Sequence, residues 1–158
     1  MKLVSYIKDE HEQLGVLIND MVYDMDVLHP DLPNSMNMFL NYWEESFAQA
    51  QAGELMLKEG TRSSSKGVPL KDLQLLAPVP FPQSCRDGYA FRQHVASKKK
   101  NRKVDMIPEF DQFPIFYFTN HHSISGPGDI KCMPDHFHKL DFELEASIVI
   151  CKHGRNIK

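Results

Sequence analysis

The segment Lys139-Leu140-Asp141-Phe142-Glu143-Leu144-Glu145-Ala146-Ser147-Ile148-Val149-Ile150 alternates as a β-strand must, with Phe142, Leu144, Ala146, Ile148 and Ile150 on one face. The opposite face then carries Asp141, Glu143 and Glu145 in a row. Residues two apart on a strand face sit roughly 6.5 Å apart, so three carboxylates there repel one another. A hard divalent cation with oxygen ligands offsets that repulsion most simply. Spacing alone leaves open the plainer alternative, a half-buried strand with a solvated acidic face.

Upstream, Leu3 to Ile7, Leu14 to Ile18 and Met21 to Asp24 are short β-rich runs separated by Lys8-Asp9-Glu10-His11 and Asn19-Asp20. They predict a small β meander. Pro30 and Pro33 close it, and Asn34 or Ser35 is positioned to cap a helix with Met36, Phe39, Leu40, Trp43 and Phe47 at core spacing. A second helical stretch runs from Ala48 to Lys58 and ends at Gly60, before an exposed linker at Thr61 to Gly67. These signals divide the chain into a lobe over 1–67 and a second domain over 68–158. In the latter, Leu73 to Pro80 predicts a short strand running into a proline-rich turn, and Phe113 to Thr119 a buried strand. Gly126 to Asp129 predicts a turn and Pro134 to His138 a loop.

Several constellations carry chemistry in principle. Asp87 and His94 are seven residues apart, about two turns if Asp87 to Lys99 is helical, so a ligand carboxylate and a proton acceptor would share a face. Such a pair is also commonplace without function. The cluster Lys98-Lys99-Lys100-Asn101-Arg102-Lys103 can hold an anion or simply be a solvated helix end. His136 and His138 have an HxH look, but no Cys or His pair stands at zinc-site spacing. His121 and His122 follow the aromatic strand, where a pocket can open. Cys85 has nothing beside it to lower its pKa and reads as a core residue.

Composition narrows the field. A net charge of −3 argues against a nucleic-acid binder, and no apolar run approaches bilayer length. Lys8-Asp9-Glu10 follows the first apolar residues at once, which is not a signal peptide. Three scattered cysteines form no disulfide framework and fit a reducing, cytoplasmic setting.

In combination these segments resemble the fumarylacetoacetate hydrolase family. The resemblance rests on Leu75-Leu76-Ala77-Pro78-Val79-Pro80, Arg86-Asp87-Gly88-Tyr89-Ala90-Phe91-Arg92-Gln93-His94, Pro114 to Thr119, Ser125-Gly126-Pro127-Gly128-Asp129, Leu140 to Glu145 and Gly154-Arg155-Asn156-Ile157, in that order. It implies an α+β fold: a small β-rich N-terminal lobe with helices, then part of a mixed β-roll. It implies that Asp87, Glu143 and Glu145 bind a divalent cation (Mg²⁺, Mn²⁺ or Ca²⁺), that His94 activates the attacking water, and that Tyr89 helps hold a substrate carboxylate. Asp141 falls outside the ligand pair.

The implied activity is metal-dependent cleavage of a carbon–carbon bond in small β-diketo acids of the fumarylacetoacetate or acylpyruvate type, as in aromatic catabolism. Isomerase or decarboxylase chemistry on keto–enol acids is the alternative within the family, and a homodimer its usual assembly. Two departures stand out. The family's further metal-binding aspartate and pocket lysine lie beyond Gly-Arg-Asn-Ile, whereas this sequence stops at Lys158, which points to a fragment. Some compact relatives carry a helper glutamate three residues after the histidine, where this chain has Ser97. The rival expectation is an inactive truncated relative that binds metal weakly or serves as an interaction protein.

Overall fold

The alternating run Leu3 to Asp24 folds as the sequence predicts. Strands β1 (Leu3–Lys8), β2 (His11–Ile18) and β3 (Met21–Asp24) form an antiparallel meander in the computed structural model, which describes residues 1–62, 66–89, 91–101 and 105–157. Both connections are two-residue turns with positive φ throughout: Asp9 and Glu10 at 50° and 65°, Asn19 and Asp20 at 48° and 63°. That is the hairpin geometry whose twist matches the flanking strands. The pairs Lys8↔His11 and Ile18↔Met21 close the two ladders, setting a register that turns Leu14, Val16 and Ile18 into the core.

Three helices cover the sheet. α1 (Met25–Leu28) leaves β3 directly, a turn of helix that the sequence pattern does not predict. α2 (Met36–Asn41) is capped by Ser35, whose hydroxyl accepts from the Met38 N–H at 3.4 Å. The helix predicted to continue through Phe47 instead breaks at Tyr42 (φ −110°, ψ 37°), and α3 runs Trp43–Lys58. Aromatic packing spans the break: Trp43 meets Phe39 edge-on at 5.9 Å and stacks on Phe47 at 4.5 Å. Phe39 is fully buried among Leu14, Met25, Leu28 and Met36, a burial that contributes about 2–3 kcal/mol. Arg62 donates to the carbonyls of Val27 and Leu28, fastening the start of the 61–67 linker to α1. Ser63 to Ser65 of that linker lie outside the described residues.

Two short strands complete the sheet in the order β4-β3-β2-β1-β5, β4 being Val68–Pro69 and β5 Gln74–Leu75. Four steps of about 4.8 Å would separate the edges of a flat sheet by about 19 Å. Only four residues lie between Pro69 and Gln74, five Cα steps in all, and Leu70–Asp72 among them is a 3₁₀ turn. At no more than about 3.4 Å per residue that connection cannot cross a flat sheet, so the sheet curls. Leu76 N–H donates to Ser5 O at 2.8 Å and the Ser5 hydroxyl to Pro78 O at 3.0 Å, continuing the attachment past β5.

The chain divides into two compact units, one formed by Met1–Pro80 with Ser125–Lys158 and the other by Phe81–Ile124. The second contains β6 (Cys85–Gly88), α4 (Arg92–Asn101) and β7 (Phe116–Thr119), with β6 and β7 antiparallel. The fold class is α+β, as expected.

Four local expectations need correction. Asp87 to Lys99 is not one helix: Asp87 sits on β6, because the aromatic strand β7 offers a ladder that pairs Cys85 to Gly88 residue for residue. The aromatic run is a strand but not a buried one, with Phe116, Tyr117 and Phe118 at 50%, 56% and 68% exposure. Lys139 to Ile150 forms no strand. A strand exists only through a partner, and none among the described residues pairs with it, so Phe142 and Leu144 stand 85% and 97% exposed. Pro134–Lys139 is a 3₁₀ turn rather than an irregular loop.

Candidate metal centre

Glu143 and Glu145 belong to the first unit and Asp87 to the second. The two glutamates keep the alternation of the sequence even without a ladder, and their carboxylate oxygens lie within 4.8 Å of each other. Oxygen ligands at 2.0–2.6 Å from one Mg²⁺, Mn²⁺ or Ca²⁺ ion are separated by at most about 5 Å, so this pair fits a shared hard cation. Asp141, the third acid of the run, turns onto its own backbone and accepts from the Phe142 N–H at 2.9 Å.

In the second unit the β6–β7 register sets Asp87 opposite Tyr117 and Arg86 opposite Phe118. Alternation therefore sorts the ladder into two faces. On one, the Arg86 guanidinium lies over the rings of Phe118 and Phe116, 4.6 and 5.6 Å from their centroids. On the other, the Tyr117 hydroxyl donates to Asp87 Oδ2 at 2.5 Å, the length of a charge-assisted bond. Asp87 is half-buried. Tyr89, half-exposed, extends the ladder through its N–H to Ile115 O at 3.0 Å.

His94 is exposed on α4, one residue before the buried Val95 that anchors the helix. It shares no helical face with Asp87, since the two stand on different elements. Ser97 does not replace the helper glutamate; its hydroxyl donates to Gln93 O at 2.9 Å. Arg92 pairs with Asp111 at 3.1 Å and covers Phe110 at 5.8 Å, tying α4 to the segment that follows.

The remaining candidates fare less well. His136 and His138 are exposed on the 3₁₀ turn, where residues two apart point about 120° from each other. No set of three metal-donor side chains forms around them among the described residues. His121 and His122 pack on each other at 4.1 Å on a turn capped by Asn120. Arg102 and Lys103 of the basic cluster lie outside the described residues. Cys85, Cys132 and Cys151 are free. Tyr117 is the residue that sequence reasoning passed over. Its signal was the Phe-Tyr-Phe-Thr alternation, which puts one hydroxyl on the face opposite the phenyl rings.

The region from β6 onward has its own signature. Residues 83–158, just under half of the chain, match the family described as Fumarylacetoacetate (FAA) hydrolase C-terminal, and over that region the chain is similar to this family. It is similar to the Fumarylacetoacetate hydrolase domain-containing protein 2 homolog of Dictyostelium discoideum, at 24% identity over 99% of this chain and 48% of that protein. It is also similar to the mitochondrial oxaloacetate tautomerases Fahd2a of Rattus norvegicus, 28% identical over 100% of this chain and 47% of the relative, and FAHD2B of Homo sapiens, 27% identical over 87% and 39%. The chain spans about half the length of the curated relatives it matches, or less. No helix among the described residues is long and apolar enough to cross a membrane.

Proposed function

We propose that the protein acts on a small keto–enol acid, with Asp87, Glu143 and Glu145 holding a divalent cation and His94 moving the proton. The observation that carries this reading is the oxygen-only donor set: a glutamate pair within 4.8 Å and an aspartate already oriented by a phenol. When bound, the cation supplies Lewis-acid stabilisation of enolate charge. Tyr89 holds the substrate carboxylate, and His94 takes up the proton from the carbon beside the carbonyl. Residues 1–67 serve as an N-terminal lobe and 68–158 contribute to a catalytic domain, the whole protein working as a homodimer.

Tautomerisation of an oxaloacetate-like acid is the first reaction to assign, because several relatives are named oxaloacetate tautomerases. Proton removal from carbon and return to oxygen completes it without breaking the carbon skeleton. Hydrolysis of a β-diketo acid is the second, supported by the family match. There His94 takes a proton from water, the water oxygen bonds to the carbonyl carbon, and the carbon–carbon bond breaks with its electron pair leaving as enolate. The relatives named mitochondrial support a mitochondrial location as much as the cysteine content supports a cytoplasmic one, and fractionation of source cells decides between them.

The deciding experiment assays the full-length protein with Mg²⁺ or Mn²⁺ on oxaloacetate and on an acylpyruvate. Glu143→Gln or Glu145→Gln should abolish turnover while leaving the fold intact. Full metal-dependent activity in either variant would refute the assignment. A well-folded wild type that processes neither acid would favour an inactive relative.

A further inference from the structure

We propose that Tyr117 is the positioning residue of the cation site, acting through Asp87. The inference rests on reading Asp87 as a cation ligand and goes beyond it, since it names what aims that ligand. A lone carboxylate on a four-residue strand swings about its χ angles and presents either oxygen. Here the Tyr117 hydroxyl claims Oδ2 at 2.5 Å, which leaves Oδ1 as the oxygen presented to a cation. The bond is set by register, because Asp87 and Tyr117 are direct cross-strand partners. On the opposite face, away from this bond, Arg86 lies over Phe118 and Phe116. A ring without the hydroxyl would preserve the strand and lose only the donor. Hydrogen bonds that orient a ligating carboxylate typically change metal affinity 10–100-fold. Tyr117 is half-exposed, so water competes for the bond and the effect belongs at the lower end.

The test is a Mn²⁺ titration of the full-length protein, with free Mn²⁺ followed by electron paramagnetic resonance. Tyr117→Phe should weaken binding about tenfold and alter the fine structure of the bound-Mn²⁺ spectrum. Phe118→Leu, which disturbs the opposite face of the same strand, should leave both unchanged. Equal affinity of Tyr117→Phe and wild type overturns the positioning role while leaving the ligand reading intact. So does an equal loss in Phe118→Leu, which would make the effect one of strand packing. Failure of the wild type to bind Mn²⁺, or full affinity in Asp87→Asn, rejects the ligand reading and the positioning role together.

Discussion

Replacing Gly15 by alanine tests how tightly the curled sheet is closed. Gly15 lies in the middle of β2, where an added Cβ would stand 2.6 Å from Val22 Cγ1, 2.9 Å from the Tyr23 carbonyl oxygen and 3.2 Å from Tyr6 Cε1. Val22, Tyr23 and Tyr6 are 1%, 8% and 2% exposed, so none can swing into solvent, and the carbonyl is held in the sheet. Overpacking of this kind costs about 1–3 kcal/mol. Against it, alanine gains about 0.5–1 kcal/mol over glycine in the backbone entropy of a strand. The balance is a net loss of about 0.5–2 kcal/mol for Gly15→Ala, and more for Gly15→Val, which adds two further methyl groups to the same space. Urea unfolding followed by Trp43 fluorescence reads this directly. Trp43 is the only tryptophan and packs between Phe39 and Phe47 in the same lobe. With slopes of about 1–3 kcal/mol per molar urea, the Gly15→Ala midpoint should fall by a few tenths of a molar or more. An unchanged or raised midpoint would refute the packing argument.

Burial and, secondarily, the neighbouring Asp24 carboxylate push the Tyr6 phenol above its ordinary value near 10. The folded state thus keeps a proton that the unfolded state loses, so stability is full below pH 10 and declines above it, approaching about 1.4 kcal/mol per pH unit. Lys8, raised by its bond to the same carboxylate, acts in the same direction but weakly, being half-exposed. Unfolding free energies measured from pH 9 to 11 should show the decline, and Tyr6→Phe should flatten it. Gly126→Ala would place a Cβ 2.4 Å from Leu75 O and 2.8 Å from the Leu76 backbone. The segment from Ser125 onward should then detach locally, seen as faster amide exchange at Leu76 with the Trp43 transition unmoved; unchanged exchange would contradict it.

How much could be read in advance depended on how local the cause was. The meander was legible because its alternation and its Asp9-Glu10 and Asn19-Asp20 turns act within a few residues. Ser35 was legible as a cap for the same reason. The seven-residue spacing from Asp87 to His94 mimics two helical turns, and only the distant Phe116–Thr119 strand overrides it. The run 139–150 has impeccable alternation, yet alternation declares which face would be buried and not what would bury it. Glu143 and Glu145 stand out as candidate ligands only through several motifs in one order. Tyr117 is not distinguishable in sequence because its run reads as apolar and aromatic, and its single hydroxyl gains a role only through the Asp87 pairing.

The strap between Pro69 and Gln74 carries a kinetic consequence. The two hairpins β1–β2 and β2–β3 close loops of two residues each, so they can form early and independently. Pairing Tyr6 with Leu75 joins positions 69 residues apart, a closure worth attempting only once the meander and its helices exist to shorten the search. The strap then works as the latch of a hoop: whatever loosens it frees both outer strands at once, while the inner three remain a hairpin pair able to re-form and wait for it.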